Sequence, residues 1–221
     1  MTPATIWRKA PAERHLPQDE IHLWRASIQE LLPQAQVADL SEQERIKLGA
    51  LKNETVRAQF FVSHWLTRQI LASYLQLAPS ELQFNQSKAG KPNLIGTPLE
   101  FNRSHSGGWL VLALSTKAVG VDIEKVGLRS QMDAIVERWF EEPEKEEFRR
   151  LSDAEKPAFF HSRWTQKEAV LKAWGVGLVQ LSDYAKFQRA SWSCRFEPAP
   201  GLAGCVAQVD LTPRQLQFYR A

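Results

Sequence analysis

The chain has 221 residues, 43% of them apolar, and its 28 basic against 25 acidic side chains give a formal charge of +3. That composition supports a buried core in one domain or two small ones and excludes disorder for most of the chain. So small a positive surplus is far from a nucleic-acid-binding footprint, yet it suits a phosphate-bearing small molecule or an acidic protein.

No window of about 18 uncharged apolar residues occurs that could span a membrane. The opening MTPATIWRKAPAERHLP lacks the apolar core of a signal peptide, so a cytoplasmic protein is expected. Cys194 and Cys205 stand alone, with neither a CxxC pair nor clustered histidines, which suggests neither a zinc site nor a disulfide framework.

In chain order, Ile21 to Ser27 mixes apolar and polar residues and reads as a strand, although periodicity alone leaves a helix open. Ser41 to Glu44 has the S-x-x-E spacing of a capping box and starts a short helix. From Glu54 to Leu75, Phe60, Phe61, Trp65, Leu66, Ile70, Leu71 and Leu75 recur at helical spacing and predict the first long helix. Gly, Pro, Lys and Asn between Ser87 and Pro98 mark a loop. WLVLALS, Trp109 to Ser115, is apolar on both alternating faces and reads as a buried strand, followed by a turn and a second strand from Val119 to Glu124. Pro143 should separate two helices between Ser130 and Arg150. A further helix would be capped by Asp153, carry Pro157 in its first turn and stop at Gly175. Tyr184 to Arg189 and Cys205 to Leu211 look like strands.

Three groups can carry chemistry. In GVDIEK, alternation sends Val119, Val121 and Ile123 one way and Asp122 and Glu124 the other, with Gly120 leaving space beside them. Two adjacent carboxylates repel unless compensated, and Mg2+ would compensate them, though an isolated D-x-E is more often the solvated face of an edge strand. In WTQKEAVLKAWGVGL, Trp164, Glu168 and Lys172 lie at i, i+4 and i+8 on one helix face; alone, this is more often an ion pair worth ~0.3–0.5 kcal/mol. In FNRSHSGG, His105 is either a base without a recognisable acid partner or, with the neighbouring hydroxyls and amides, a phosphate grip; a lone turn histidine is more often structural.

Taken in order, GKP, FNRSHS, GVDIEK and WTQKEAVLKAWGVGL resemble the motifs of the Sfp-type 4′-phosphopantetheinyl transferases, and RWFEEPE is similar to a fifth. The resemblance spans about Gly90 to Leu178 and is weaker in the N-terminal third. It implies transfer of the phosphopantetheine arm of coenzyme A to a serine of an apo acyl or peptidyl carrier protein, releasing adenosine 3′,5′-bisphosphate. It also implies an α+β fold of two similar subdomains about a pseudo-twofold axis, with the active site in the cleft between them. The boundary would lie near Lys117, leaving residues 1–117 for the coenzyme nucleotide and 118–221 for the Mg2+ site and catalytic helix; no internal sequence repeat reveals the duplication.

By matching positions, the resemblance implies Asp122, Glu124 and Glu168 as Mg2+ ligands and Lys172 as the lysine at the α-phosphate. Ser104, His105 and Lys91 match coenzyme contacts, Lys167 matches the motif facing either the pyrophosphate or the adenine, and Glu144 lies near cofactor and metal. Arg57 is the candidate for the 3′-phosphate, with Arg68 also near the family's helix arginines, while Glu44 stands among the basic residues of the first capping box, where relatives carry several phosphate contacts. Glu168 would accept the serine proton directly or through a metal-bound water. Members are usually monomers, and nucleic acid or membrane partners are not expected. Two other readings fit the carboxylates and lysine: a magnesium-dependent phosphodiesterase, and a noncatalytic module that binds coenzyme A or a carrier protein.

Overall fold

A computed structural model describes residues 5–221. In chain order the elements are β1 (Arg8–Lys9), β2 (Glu20–Ser27), α1 (Ile28–Leu31), α2 (Glu42–Ala50), α3 (Glu54–Leu75), β3 (Phe84–Gln86), β4 (Pro92–Leu94), β5 (Glu100–Ser106), β6 (Trp109–Ser115) and β7 (Val119–Lys125). They continue with α4 (Met132–Trp139), α5 (Glu142–Arg150), α6 (Lys156–Trp174), α7 (Tyr184–Gln188), β8 (Trp192–Phe196), β9 (Leu202–Gln208) and β10 (Gln215–Arg220).

The local signals account for most of these elements. Ser41 and Glu44 close a reciprocal capping box at α2, Asn53 caps α3 through Val56 N, and Gly175 ends α6 in the left-handed conformation at φ 65°. Pro143 occupies the first turn of α5, where its missing N–H costs nothing. Gly107 and Gly108, both at positive φ, make the tight turn between β5 and β6.

One unit occurs twice. β2, α3, β5 and β6 form strand, long helix and two strands with the sheet order β2-β6-β5; β7, α6, β8 and β9 repeat it with the order β7-β9-β8, every pair antiparallel. The fold is therefore two similar α+β subdomains. β10 runs parallel to β2 and, with β1, widens the first sheet. Residues 215–220, the far end of the expected second subdomain, thus sit in the sheet of the first.

The two sheets pack against each other, with a helix on the outer face of each. Ile21, Leu23, Val111 and Ala113 from the first sheet meet Val119, Val121, Ile123 and Val206 from the second. Trp24, Leu110, Leu112 and Leu114 face α3, while Cys205 and Ala207 pack under α6. Burial on both faces is why β6 reads as an unbroken apolar run. It also removes the solvated-edge reading of GVDIEK, because α6 covers the face that carries Asp122.

Several expectations are corrected. Pro92–Leu94, within the predicted loop, is a short strand that pairs antiparallel with Phe84–Gln86 just before it. Tyr184–Gln188 is a helix, not a strand. Glu155 rather than Asp153 holds the N-cap of α6; Asp153 only pairs with Lys156 at 3.1 Å. Gly120 does not leave space: an added Cβ would lie 2.1 Å from Ala169 O and 2.3 Å from Ala173 N, so the glycine lets α6 lie directly on β7.

Candidate functional site

β7 directs Asp122 and Glu124 toward α6, and one oxygen from each can lie within 4.8 Å of the others and of a Glu168 oxygen. Lys172, one turn beyond Glu168, reaches Asp122 Oδ1 at 2.5 Å and Glu168 Oε2 at 3.5 Å. Ser104 Oγ donates to Asp122 Oδ1 at 2.9 Å, and Ser106 Oγ to Glu124 Oε2 at 3.1 Å.

The charge balance is unusual for a plain ion-pair cluster. Asp122 is 2% exposed, and its Oδ2 is buried with no hydrogen-bond partner. Burial, with the Glu168 charge beside it, raises the Asp122 pKa to about 7 against the pull of Lys172. Burial also opposes charge on Lys172, but the two carboxylates outweigh it and raise the lysine pKa. Three clustered carboxylates against one ammonium, with an orphaned oxygen among them, is the donor set a hard divalent cation would complete.

On the other face of β5 lies a cavity of 980 Å³ against α3, lined among others by Lys47, Phe60, His64, Gly90, Pro92 and Arg103. Arg103 donates to His64 Nε2 at 2.7 Å and to Thr67 Oγ1 at 3.3 Å; burial lowers its pKa to about 10. Among the described residues no carboxylate lies within ion-pair distance of Arg103, because Glu44 is taken by Arg68 at 2.7 Å. The His64 ring stacks on Phe60 and is held neutral, its pKa lowered to about 4 by burial and then by Arg103. His105, exposed on the same side of the strand as Arg103, has its pKa lowered by partial desolvation and by the Arg103 and Lys172 charges. Lys47 and Arg103 thus line the cavity, and the charges of Arg103 and of Lys172 both act on His105.

Not every expected residue joins this array. Lys167 is 1% exposed, donates to Glu144 Oε2 at 2.7 Å and sits over the Tyr184 and Phe140 rings, so its charge is already partnered inside the second subdomain's core. Glu144 is spent on Lys167 and on the cap of α5 at Glu141 N. Lys91 donates to Val119 O at 2.9 Å and Ala173 O at 3.3 Å, tying the GKP turn to the last turn of α6, where a cation offsets exposed carbonyls. Arg68 lines the cavity but is committed to Glu44 and the Pro79 and Leu82 carbonyls, while Arg57 is exposed near the start of α3, outside the cavity lining. Sequence reasoning missed Arg103, His64 and Ser106. Period-two alternation along FNRSHS could have separated Arg103 and His105 from Asn102, Ser104 and Ser106, but nothing local pairs Arg103 with His64.

Family models match both halves: "4′-phosphopantetheinyl transferase, N-terminal" over residues 22–117 and "4′-phosphopantetheinyl transferase superfamily" over residues 118–210. The 4′-phosphopantetheinyl transferase HetI of Nostoc sp. is 32% identical over 222 residues, 92% of each chain. Sfp of Bacillus subtilis, named as the same kind of transferase, is 32% identical over 114 residues, 51% of this chain and 50% of its own. The chain belongs to the 4′-phosphopantetheinyl transferase superfamily, whose enzymes use coenzyme A and act on carrier proteins. No helix of the described residues is long and apolar enough to cross a membrane.

Proposed function

We propose that this transferase works with Mg2+ held by Asp122, Glu124 and Glu168, moving 4′-phosphopantetheine from coenzyme A to a serine hydroxyl of an apo acyl or peptidyl carrier protein. The orphaned Oδ2 of buried Asp122 inside a carboxylate trio is the observation that carries the metal reading. Bound there, the cation would supply Lewis acidity to pyrophosphate oxygens.

The serine oxygen forms a bond to the pantetheine-bearing phosphorus while the bridging P–O bond breaks, and adenosine 3′,5′-bisphosphate leaves with the electron pair. Glu168 accepts the serine proton, a contribution of ~10²–10⁴-fold in rate. Lys172, charged at neutral pH, offsets the negative charge that grows on the leaving phosphate. His105, neutral at that pH because burial and the Arg103 and Lys172 charges lower its pKa, donates an N–H to phosphate oxygen.

Residues 1–117 would bind the nucleotide and residues 118–221 would carry the metal ligands and α6, with β10 returning to brace the first sheet. A cytoplasmic monomer completes the reading: one chain supplies every group named, and both cysteines are free thiols.

Incubation with coenzyme A, Mg2+ and a panel of apo carrier proteins should add one phosphopantetheine mass to one carrier serine, and chelation should stop it. Phosphate release from coenzyme A without any acceptor would instead reveal a phosphodiesterase.

Arg103, which has no carboxylate partner among the described residues and lines the cavity, is the proposed reader of the coenzyme's 3′-phosphate. Arg103→Met should raise KM for coenzyme A by ~10–100-fold, the loss expected of a charge-assisted hydrogen bond, and leave KM for 3′-dephospho-coenzyme A nearly unchanged. The same pair of substrates with Arg57→Ala tests the candidate from the α3 arginines; equal losses on both substrates would dismiss either residue from that role.

A further inference from the structure

β5 and β7 run side by side but belong to different sheets, and side chains of β5 stand in for a backbone ladder between them. Val121 N donates to Asn102 Oδ1 at 2.9 Å, Ile123 N to Ser104 Oγ at 3.3 Å and Lys125 N to Ser106 Oγ at 3.0 Å. Every second residue on one strand meets every second residue on the other, so the N-x-S-x-S spacing matches the strand period.

A hydroxyl that accepts from an amide still has a proton to give. Ser104 gives its proton to Asp122 and Ser106 gives its proton to Glu124, each carboxylate preceding by one residue the amide that anchors the serine. The backbone of β7 thus fixes the hydroxyl, and the hydroxyl fixes the carboxylate of the same strand. Ser104 shares Asp122 Oδ1 with Lys172. Ser106 is different: among the described residues it is the only side-chain partner of the Glu124 carboxylate, which lies half-buried near the end of β7.

We propose that Ser106 is a positioning residue for divalent-cation binding, holding one oxygen of Glu124 so that the carboxylate is pre-set toward Asp122 and Glu168. The inference rests on the reading of that trio as a metal site. Its energetic basis is that an unanchored glutamate must surrender rotamer freedom when a cation binds, whereas the anchored one has already done so.

Mn2+ titration of the purified protein, followed by electron paramagnetic resonance with and without coenzyme A, tests both levels separately. Ser106→Ala should weaken Mn2+ about tenfold, the lower end of outer-shell losses. It should raise the Mg2+ concentration for half-maximal activity and leave KM for coenzyme A at saturating Mg2+ unchanged. Ser106→Thr, which keeps the hydroxyl, should restore the wild-type Mn2+ affinity. If Ser106→Ala does not fold, Ser106→Cys, of similar size but a weak donor, takes its place in the comparison. Wild-type Mn2+ affinity in the variant without a hydroxyl, alongside loss of Mn2+ binding in Glu168→Gln, overturns the positioning role and leaves the metal site standing. Mn2+ binding unaffected by Glu168→Gln, or absent in the wild type, overturns the metal reading and this inference together.

Discussion

Asp122→Asn should abolish transfer, by about 10³-fold or more, while making the metal-free protein more stable at neutral pH. The loss follows from removing the most buried carboxylate of the proposed metal site, since charge stabilisation by a divalent cation is worth several kcal/mol in such a reaction. The gain in stability follows from the sign of the pKa shift. In the folded protein the Asp122 carboxyl titrates at about 7, above the ordinary 3.8. Between those values the folded state binds more protons at this site than the unfolded state, so the contribution of Asp122 to stability is fully present below pH 4 and is lost as pH rises through 7. Asparagine carries no charge to desolvate and should flatten that decline, while Lys172 keeps Glu168 as a partner. Urea midpoints at pH 5 and pH 8 in chelator, read beside the transfer assay, check both halves. The same proton competes with the cation, so the wild type should need more Mg2+ at pH 6 than at pH 8. Retention of a tenth of wild-type activity in Asp122→Asn would remove the carboxylate from its proposed role.

Gly120→Ala should be the most damaging single methyl group. Its Cβ would lie 2.1 Å from Ala169 O, 2.3 Å from Ala173 N and 2.8 Å from Lys172 C. These are backbone atoms of α6, which cannot rotate away, so the helix must lift from β7. We expect a loss of about 3 kcal/mol, the upper end for overpacking, and a fall in Tm of roughly 6–12 °C for a chain of this size. Transfer should fall further than stability alone explains, because α6 carries Glu168 and Lys172 while β7 carries Asp122 and Glu124. A displacement near 1 Å between reacting groups costs about 10²-fold. Calorimetry and kinetics below the melting range separate the two effects. A melting point within about 2 °C of wild type would show that the helix has slack the geometry denies.

This second case marks the boundary between local and tertiary information. Period-two alternation correctly grouped Gly120 with Asp122 and Glu124 on one face, but it could not say what lies over that face. An open ligand space and a helix backbone in contact leave the same strand pattern.

The sequence by itself determined the elements whose cause is local: the Ser41–Glu44 box, the helix from Glu54 to Leu75, the Gly175 stop, the apolar β6 and the stacking of Glu168 with Lys172. Each depends on residues within a turn or a strand pitch of one another, so spacing encodes it. Ordered motifs also identified the transferase family. Tertiary structure alone decided the rest. Tyr184–Gln188, only five residues long, has too weak a periodic signal to choose helix over strand, and its Tyr184 ring packs under Lys167. A lysine matching a coenzyme motif is buried against Glu144, 23 positions away, and Lys91 binds carbonyls 28 and 82 positions away. Asp122 became a buried acid with a raised pKa, and Ser106 a hydrogen-bond partner of Glu124, only when α6 covered β7 and β5 came alongside. Charge, hydroxyl and carboxylate can be read in the sequence as inventory; desolvation and partnership arise from contacts between distant segments, and those set the chemistry.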